Sequence, residues 1–212
     1  GMGNSCLFPL FLGASSVLDK EWPTAKTVSA NLTKYKPSVF GGSPAIYQSL
    51  MSSLPTSNIF KSVTYALSAG SPLPVKIFET YKKYDIELLN GIGATELCHI
   101  YIANKTGIDK SGETGYPLPG YQLKLVDQKG DSVETGEVGS LKIKGASVSP
   151  GYWNNSSANN SKFDNGWYDT GDMFIKEKSG AFIYKLRTDD LFKVNGRWVN
   201  PLLIESSLVS HL

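Results

Sequence analysis

Apolar positions recur at two different spacings along this chain, and the spacing changes near the middle. In the first half Ile46, Tyr47, Leu50, Met51 and Leu54 follow one another at intervals that place them on one helical face. Ser43-Pro44 stands ahead of them as N-cap and first-turn proline. A strand-like run over 62–68 ends at Ala69-Gly70-Ser71-Pro72, and Pro74 then opens a second helix with Ile77, Phe78, Tyr81 and Tyr84 on its apolar face. Ser38-Val39-Phe40 reads as a strand before the first helix, and 86–89 as one after the second, running into Asn90-Gly91-Ile92-Gly93. Strand, helix, strand, helix, strand predicts a parallel sheet with helices packed on it.

Beyond about residue 112 the apolar period falls to two. Tyr121, Leu123 and Leu125 alternate with Gln122 and Lys124; Leu141 and Ile143 alternate with Lys142 and Lys144; 181–184 reads as another strand. Turn signals such as Lys129-Gly130, recurring about every 8–12 residues, predict an antiparallel, barrel-like sheet. The Asn- and Ser-rich stretch 154–161 reads as a surface loop. The apolar stretch 6–18, broken by Pro9 and Gly13, reads as a buried strand and turn. It has no basic residue ahead of it and is too short to span a bilayer, so neither a signal peptide nor a membrane span is expected. After Arg187 a charged turn, a hairpin over 191–199 and a helix opened by Asn200-Pro201 are expected. The expected fold is therefore α/β. A parallel-sheet subdomain occupies 3–112, an antiparallel β-barrel-like subdomain 113–185, and the start of a small α+β C-terminal domain 186–212.

Composition narrows the function. With 212 residues the chain can bury a core without metal or disulfide staples. Its net charge of +2 comes from 21 basic and 19 acidic residues with no long run of one sign, which argues against a nucleic-acid partner. Two cysteines, Cys6 and Cys98, form no CxxC pair, so a zinc site is not expected and a reducing cytoplasm is the simplest setting.

Two glycine-containing loops are expected at strand ends, Gly70-Ser71-Pro72 and Asn90-Gly91-Ile92-Gly93-Ala94-Thr95-Glu96. In a parallel sheet such loops bind ligands, glycine letting a backbone approach a planar ring or phosphate while Thr and Glu supply a hydroxyl and a metal-ligating carboxylate. Ordinary turns fit the spacing equally well, and neither standard nucleotide fingerprint is present. Asp172 and Arg187 could bind the two hydroxyls of a ribose. A surface turn with a salt bridge reads the same residues without a ligand.

Five ordered motifs bear on that choice. They are Gly91-Ile92-Gly93-Ala94-Thr95-Glu96, Gly136-Glu137-Val138-Gly139, Gly151-Tyr152-Trp153, Tyr168-Asp169-Thr170-Gly171-Asp172, and Arg187-Thr188-Asp189-Asp190 continuing to Lys193-Val194-Asn195-Gly196. In order and spacing the chain resembles the adenylate-forming superfamily of acyl-CoA synthetases, peptide-synthetase adenylation domains and beetle luciferases. Gly-Ile-Gly-Ala-Thr-Glu-Leu-Cys-His and Lys-Val-Asn-Gly-Arg-Trp-Val-Asn-Pro look most like benzoate-CoA ligases.

The resemblance implies an enzyme that makes an acyl-adenylate from a carboxylic acid and ATP-Mg²⁺ and passes the acyl group to coenzyme A. It implies that Gly70, Ser71 and Pro72 lie on one side of adenine and Asn90, Gly91 and Ile92 on the other, that Thr95 bonds the α-phosphate, and that Glu96 holds Mg²⁺. It implies Asp172 and Arg187 at the ribose, Gly93, Ala94 and His99 in the acyl-pocket wall, and Asp189 as the hinge of the C-terminal domain. Lys193 and Gly196 would sit on the coenzyme A side with Trp198 flanking the pantetheine channel. The family's Ser/Thr/Gly-rich phosphate loop and its C-terminal adenylation lysine have no counterpart among the 212 residues. The expectation is a fragment of an aryl acid–CoA ligase, inactive alone, whose partners are the acid, ATP, coenzyme A and the remaining part of the enzyme. Two alternatives stay open: a non-catalytic AMP-binding or interaction module, and part of an adenylation domain serving a carrier protein.

Overall fold

The computed structural model describes residues 3–55, 58–107 and 115–190, the backbone of 192–194 and 197–199, and positions 204 and 208. They fall into two compact units, Gly1–Gly115 and Tyr116–Leu212.

In the first unit β1 (Val39–Gly42), β2 (Tyr65–Ala69) and β3 (Leu88–Gly93) are parallel neighbours, and β4 (Ile100–Ala103) runs antiparallel to β3. α3 (Pro44–Leu50) and α4 (Val75–Lys82) make the two crossovers, as the apolar period predicts. α3 begins at Pro44 behind an extended Ser43, although the Ser43 hydroxyl makes no capping bond. A further helix, α2 (Ala25–Tyr35), opens on a reciprocal Thr24–Thr27 capping box.

Tyr47, Leu50, Tyr81 and Leu88 are buried at the centre of this unit, with Phe60 stacked on Tyr47 and edge-on to Tyr81. Two hydroxyls tie this core together. Tyr81 donates to the Tyr47 carbonyl at 2.8 Å, and Tyr47 donates to the Leu67 carbonyl at 2.9 Å. Helix α4 is thereby linked to α3, and α3 to β2.

The second unit opens with β5 (Tyr116–Pro117). Its antiparallel sheet has the order β10 (Phe182–Arg187), β9 (Trp167–Lys176), β7 (Val138–Gly145), β6 (Tyr121–Val126), with two-residue β8 (Phe163–Asp164) on β9. Leu125, Leu141, Ile143, Phe174 and Phe182 are buried in this unit, in keeping with the period-two pattern. The sheet is open rather than closed, since four strands and a two-residue fifth are too few to complete a barrel. β11 (Phe192–Val194) and β12 (Arg197–Val199) form the expected hairpin. The helix expected from Asn200-Pro201 lies outside the described residues.

Three local expectations are corrected. The segment 6–18 is not a buried strand: Gly3–Leu7 is a π-turn leading into α1 (Phe8–Leu12), and Leu10, Phe11 and Leu12 are exposed. Pro9 lies in the first helical turn, where a missing N–H costs little, and Gly13 at φ +66° caps the end. The residues that look like strand breakers are thus helix boundaries. The stretch 154–161 is not all loop, because the Asn155 side chain accepts from Ala158 N–H and starts α5 (Ser156–Lys162). Finally, Asn90–Gly93 are not a loop after the strand but four of its six residues.

Candidate functional site

The sequence-derived site residues gather into two groups, one in each unit. In the first unit β2 and β3 end side by side, with Ser68 opposite Asn90 and Ala69 opposite Gly91. Gly70, Ser71 and Pro72 continue from β2 and are exposed. Gly70 has φ +97°, a backbone state suited to glycine. Beyond Gly93 the chain makes a tight loop: Ala94 N–H donates to the His99 carbonyl at 3.3 Å, and Thr95–Leu97 forms a single 3₁₀ turn inside it. Thr95 is exposed and Glu96 half-buried on that turn.

Glycine is required at the neck of the loop. A Cβ on Gly93 would lie 2.5 Å from the His99 carbonyl oxygen, and one on Gly91 would lie 2.8 Å from the Ile100 side chain. His99 is held from its other side: Asn4 Oδ1 lies 2.9 Å from His99 Nε2, and the Phe8 ring meets the imidazole edge-on with centroids 4.7 Å apart. Burial lowers the His99 pKa below its ordinary 6.5, which favours the neutral imidazole. Neither residue carries a sequence signal for the site: Phe8 falls in the stretch 6–18 that reads as a buried strand and turn, and Asn4 precedes it.

In the second unit β9 and β10 bring Asp172 and Arg187 together as cross-strand partners. Asp172 is 5 % exposed, and its Oδ1 lies 3.5 Å from Arg187 Nη1. Arg187 Nη2 lies 3.5 Å from Asp189 Oδ2, so one guanidinium serves two carboxylates. Burial works against the Arg187 charge, but Asp172, Asp189 and Asp190 outweigh it and raise its pKa. Burial first, then Asp172 and Asp190, push the nearby Tyr184 phenol up to about 12.

The strand bends through Thr170-Gly171-Asp172, where Thr170 Oγ1 donates to the Leu141 carbonyl and accepts from Asp172 N–H. Gly171, at φ +73°, leaves space over which Lys162 Nζ, Asp189 Oδ2 and Arg187 Nη2 converge. This gives a bare backbone under charged tips, with a buried carboxylate at its edge. Lys193 and Trp198 are paired positions of the β11–β12 hairpin, and Gly196 lies outside the described residues.

Taken separately, the second group offers a buried carboxylate able to accept two hydrogen bonds, and the first offers exposed backbone at Gly70 and Gly93, with Gly91 buried between them. No cluster of three or more His, Cys, Asp or Glu that could hold a metal occurs among the described residues. Magnesium needs no such cage, since one or two carboxylates with substrate phosphates and water suffice, and Glu96 fits that requirement.

The chain belongs to the AMP-binding enzyme family, whose pattern matches residues 1–153. It is 46 % identical along its whole length to the anthranilate–CoA ligase of Pseudomonas aeruginosa, covering 41 % of that protein, and 35 % identical to the benzoate–CoA ligase of Thauera aromatica, again covering 41 %. The crystal structure of the anthranilate CoA ligase AuaEII with anthranoyl-AMP superposes over the whole chain and 41 % of its own length, with a TM-score of 0.86 and 32 % identity. The chain thus spans about two-fifths of the relatives it matches. Among the described residues, no helix is long and apolar enough to cross a membrane.

Proposed function

We propose that this chain is the central-to-C-terminal segment of an aryl acid–CoA ligase and carries half of its nucleotide site and half of its acyl pocket. In the reaction a carboxylate oxygen attacks the α-phosphorus of ATP and pyrophosphate leaves. The thiol of coenzyme A then takes the acyl group, and AMP departs. The observation that carries the reading is the buried Asp172 carboxylate paired with Arg187 at the edge of the bare Gly171 bend, a built acceptor for a ribose diol.

Asp172 accepts from the ribose hydroxyls and Arg187 pairs with that carboxylate at 3.5 Å. Gly70, Ser71 and Pro72 on β2, with Asn90, Gly91 and Ile92 on β3, take the two faces of adenine. Thr95 donates to the α-phosphate, and Glu96 binds the Mg²⁺ whose charge, when bound, offsets that of the phosphates. Gly93, Ala94 and His99 bound the aryl ring. Asp189 is the hinge, and the hairpin of Lys193 and Trp198, with Gly196, faces coenzyme A. Anthranilate and benzoate in the relatives' names support an aryl acid as substrate class. The remaining part of the ligase supplies the β- and γ-phosphate contacts, and Cys6 and Cys98, neither of them in a disulfide, suit a reducing cytoplasm.

The test exchanges this chain for the matching segment of the Pseudomonas aeruginosa anthranilate–CoA ligase. The hybrid should release pyrophosphate only with an aryl acid present, and Asp172→Ala in the hybrid should abolish that release. The 212-residue chain alone should release none above background. A folded hybrid without acid-dependent release, or one indifferent to Asp172→Ala, refutes the reading.

A further inference from the structure

β4 stops at Ala103, yet β3 remains hydrogen-bonded beyond it, and one side chain is responsible. Asn104 N–H donates to the Asn90 carbonyl at 3.0 Å, as the next rung of an antiparallel ladder would. The chain then leaves the sheet, and the Asn104 carboxamide takes over. Its Oδ1 accepts from Asn90 N–H at 2.6 Å, and its Nδ2 donates to the Leu88 carbonyl at 3.0 Å.

Only one orientation of the amide works, because flipping it would set donor against donor and acceptor against acceptor. Farther along, Glu87 Oε1 accepts from Gly107 N–H at 2.6 Å, so the departing chain is tied a second time, just ahead of β3. On the other side of Asn90 the β3–β4 register shifts between Ile92 and Gly93. On the β4 side the Asn90–Gly91–Ile92 segment therefore lies between a register shift and the Asn104 clamp, while β2 pairs with Asn90 and Gly91 on the other side.

We propose that Asn104 is a positioning residue of the nucleotide site, fixing the backbone of Asn90–Ile92 that faces the base. It touches no ligand itself and acts by saturating β3 where β4 ends. This rests on the nucleotide reading above, and the measurements below separate the two.

Amide hydrogen exchange and an AMP titration would be followed by NMR on the 212-residue chain and on two variants. Asn104→Ala should speed exchange at the Asn90 amide at least tenfold and weaken AMP about tenfold, with exchange at Leu141 unchanged. Asn104→Asp keeps an acceptor for Asn90 N–H but loses the donor to Leu88, so Asn90 should stay protected and AMP affinity should stay nearer wild type. Unchanged Asn90 exchange in Asn104→Ala overturns the clamp. Faster exchange with undiminished AMP binding overturns the positioning role alone, as does equal loss of AMP in both variants while Asn104→Asp still protects Asn90. If Asn104→Ala does not fold, Asn104→Asp decides: loss of Asn90 protection, or tenfold weaker AMP with Asn90 protected, overturns it. No AMP binding by the wild-type chain overturns the nucleotide reading and this proposal together.

Discussion

Asp172 and Arg187 face each other across the end of the β9–β10 ladder, the carboxylate buried and the guanidinium 44 % exposed at 3.5 Å. The asymmetry decides what each truncation does. Arg187→Ala removes the cation beside a buried carboxylate, and after discounting for solvent on the arginine side it should cost about 1–2 kcal/mol of stability, read by urea denaturation. Asp172→Ala removes the buried charge itself. It should cost less stability and yet erase AMP binding, which in the wild-type chain should be no tighter than high micromolar because only half a site is present. Calorimetric titration distinguishes the two. Equal AMP binding with and without the Asp172 carboxylate would dismiss the ribose assignment.

Gly93→Ala and Gly91→Ala should differ although two residues apart. The new methyl at 93 meets a backbone carbonyl at 2.5 Å, which cannot move without opening the Ala94–His99 loop. At 91 it meets the Ile100 side chain at 2.8 Å, which can rotate. We expect about 2–3 kcal/mol lost for Gly93→Ala and about 1 kcal/mol for Gly91→Ala by chemical denaturation. The reverse order would contradict the packing.

Tyr81→Phe removes a buried donor and leaves the Tyr47 carbonyl without that bond. A cost of about 1–2 kcal/mol is expected, with little change in the denaturant slope. A neutral result would mean that the α3–α4 link through this hydroxyl carries no stability.

His99 sets a pH dependence whose sign follows from its lowered pKa. Below the ordinary 6.5 the unfolded chain takes up a proton that the folded chain resists, so stability is complete above that pH and falls as the solution is acidified through it. The urea midpoint should drop more between pH 7.5 and 5.5 for the wild type than for His99→Gln. Parallel curves would assign the dependence to other groups.

Elements whose apolar period was long and clean were legible in the sequence: α3, α4, β6 and β7 all stand where the spacing of Ile46–Leu50, Ile77–Tyr81, Tyr121–Leu125 and Leu141–Ile143 predicts. What failed was punctuation. Pro9 and Gly13 bound a helix as readily as a turn, and Asn155 reads as loop composition until its side chain is seen capping Ala158. Asp172 and Arg187 are nameable as a pair from the sequence, a salt bridge included; what needs the β9–β10 register is the burial of Asp172, which makes that bridge more than a surface contact. Asn104 had no sequence signal, because one Asn after an apolar strand looks like any strand end. Its role exists only through the partner strand.

The solvent-facing indoles give the molecule an optical property. Trp22 is 83 % exposed, as are the apolar residues Leu10, Phe11 and Leu18 of the same N-terminal stretch, Trp153 is 92 % exposed in the second unit, and Trp167 lies under the Lys124 ammonium. With Trp153, Trp167 and Trp198 replaced by Phe, a shift of tryptophan emission to shorter wavelength becomes a reporter of anything that covers Trp22. The chain therefore carries its own assay for association with the rest of a ligase, without an attached dye.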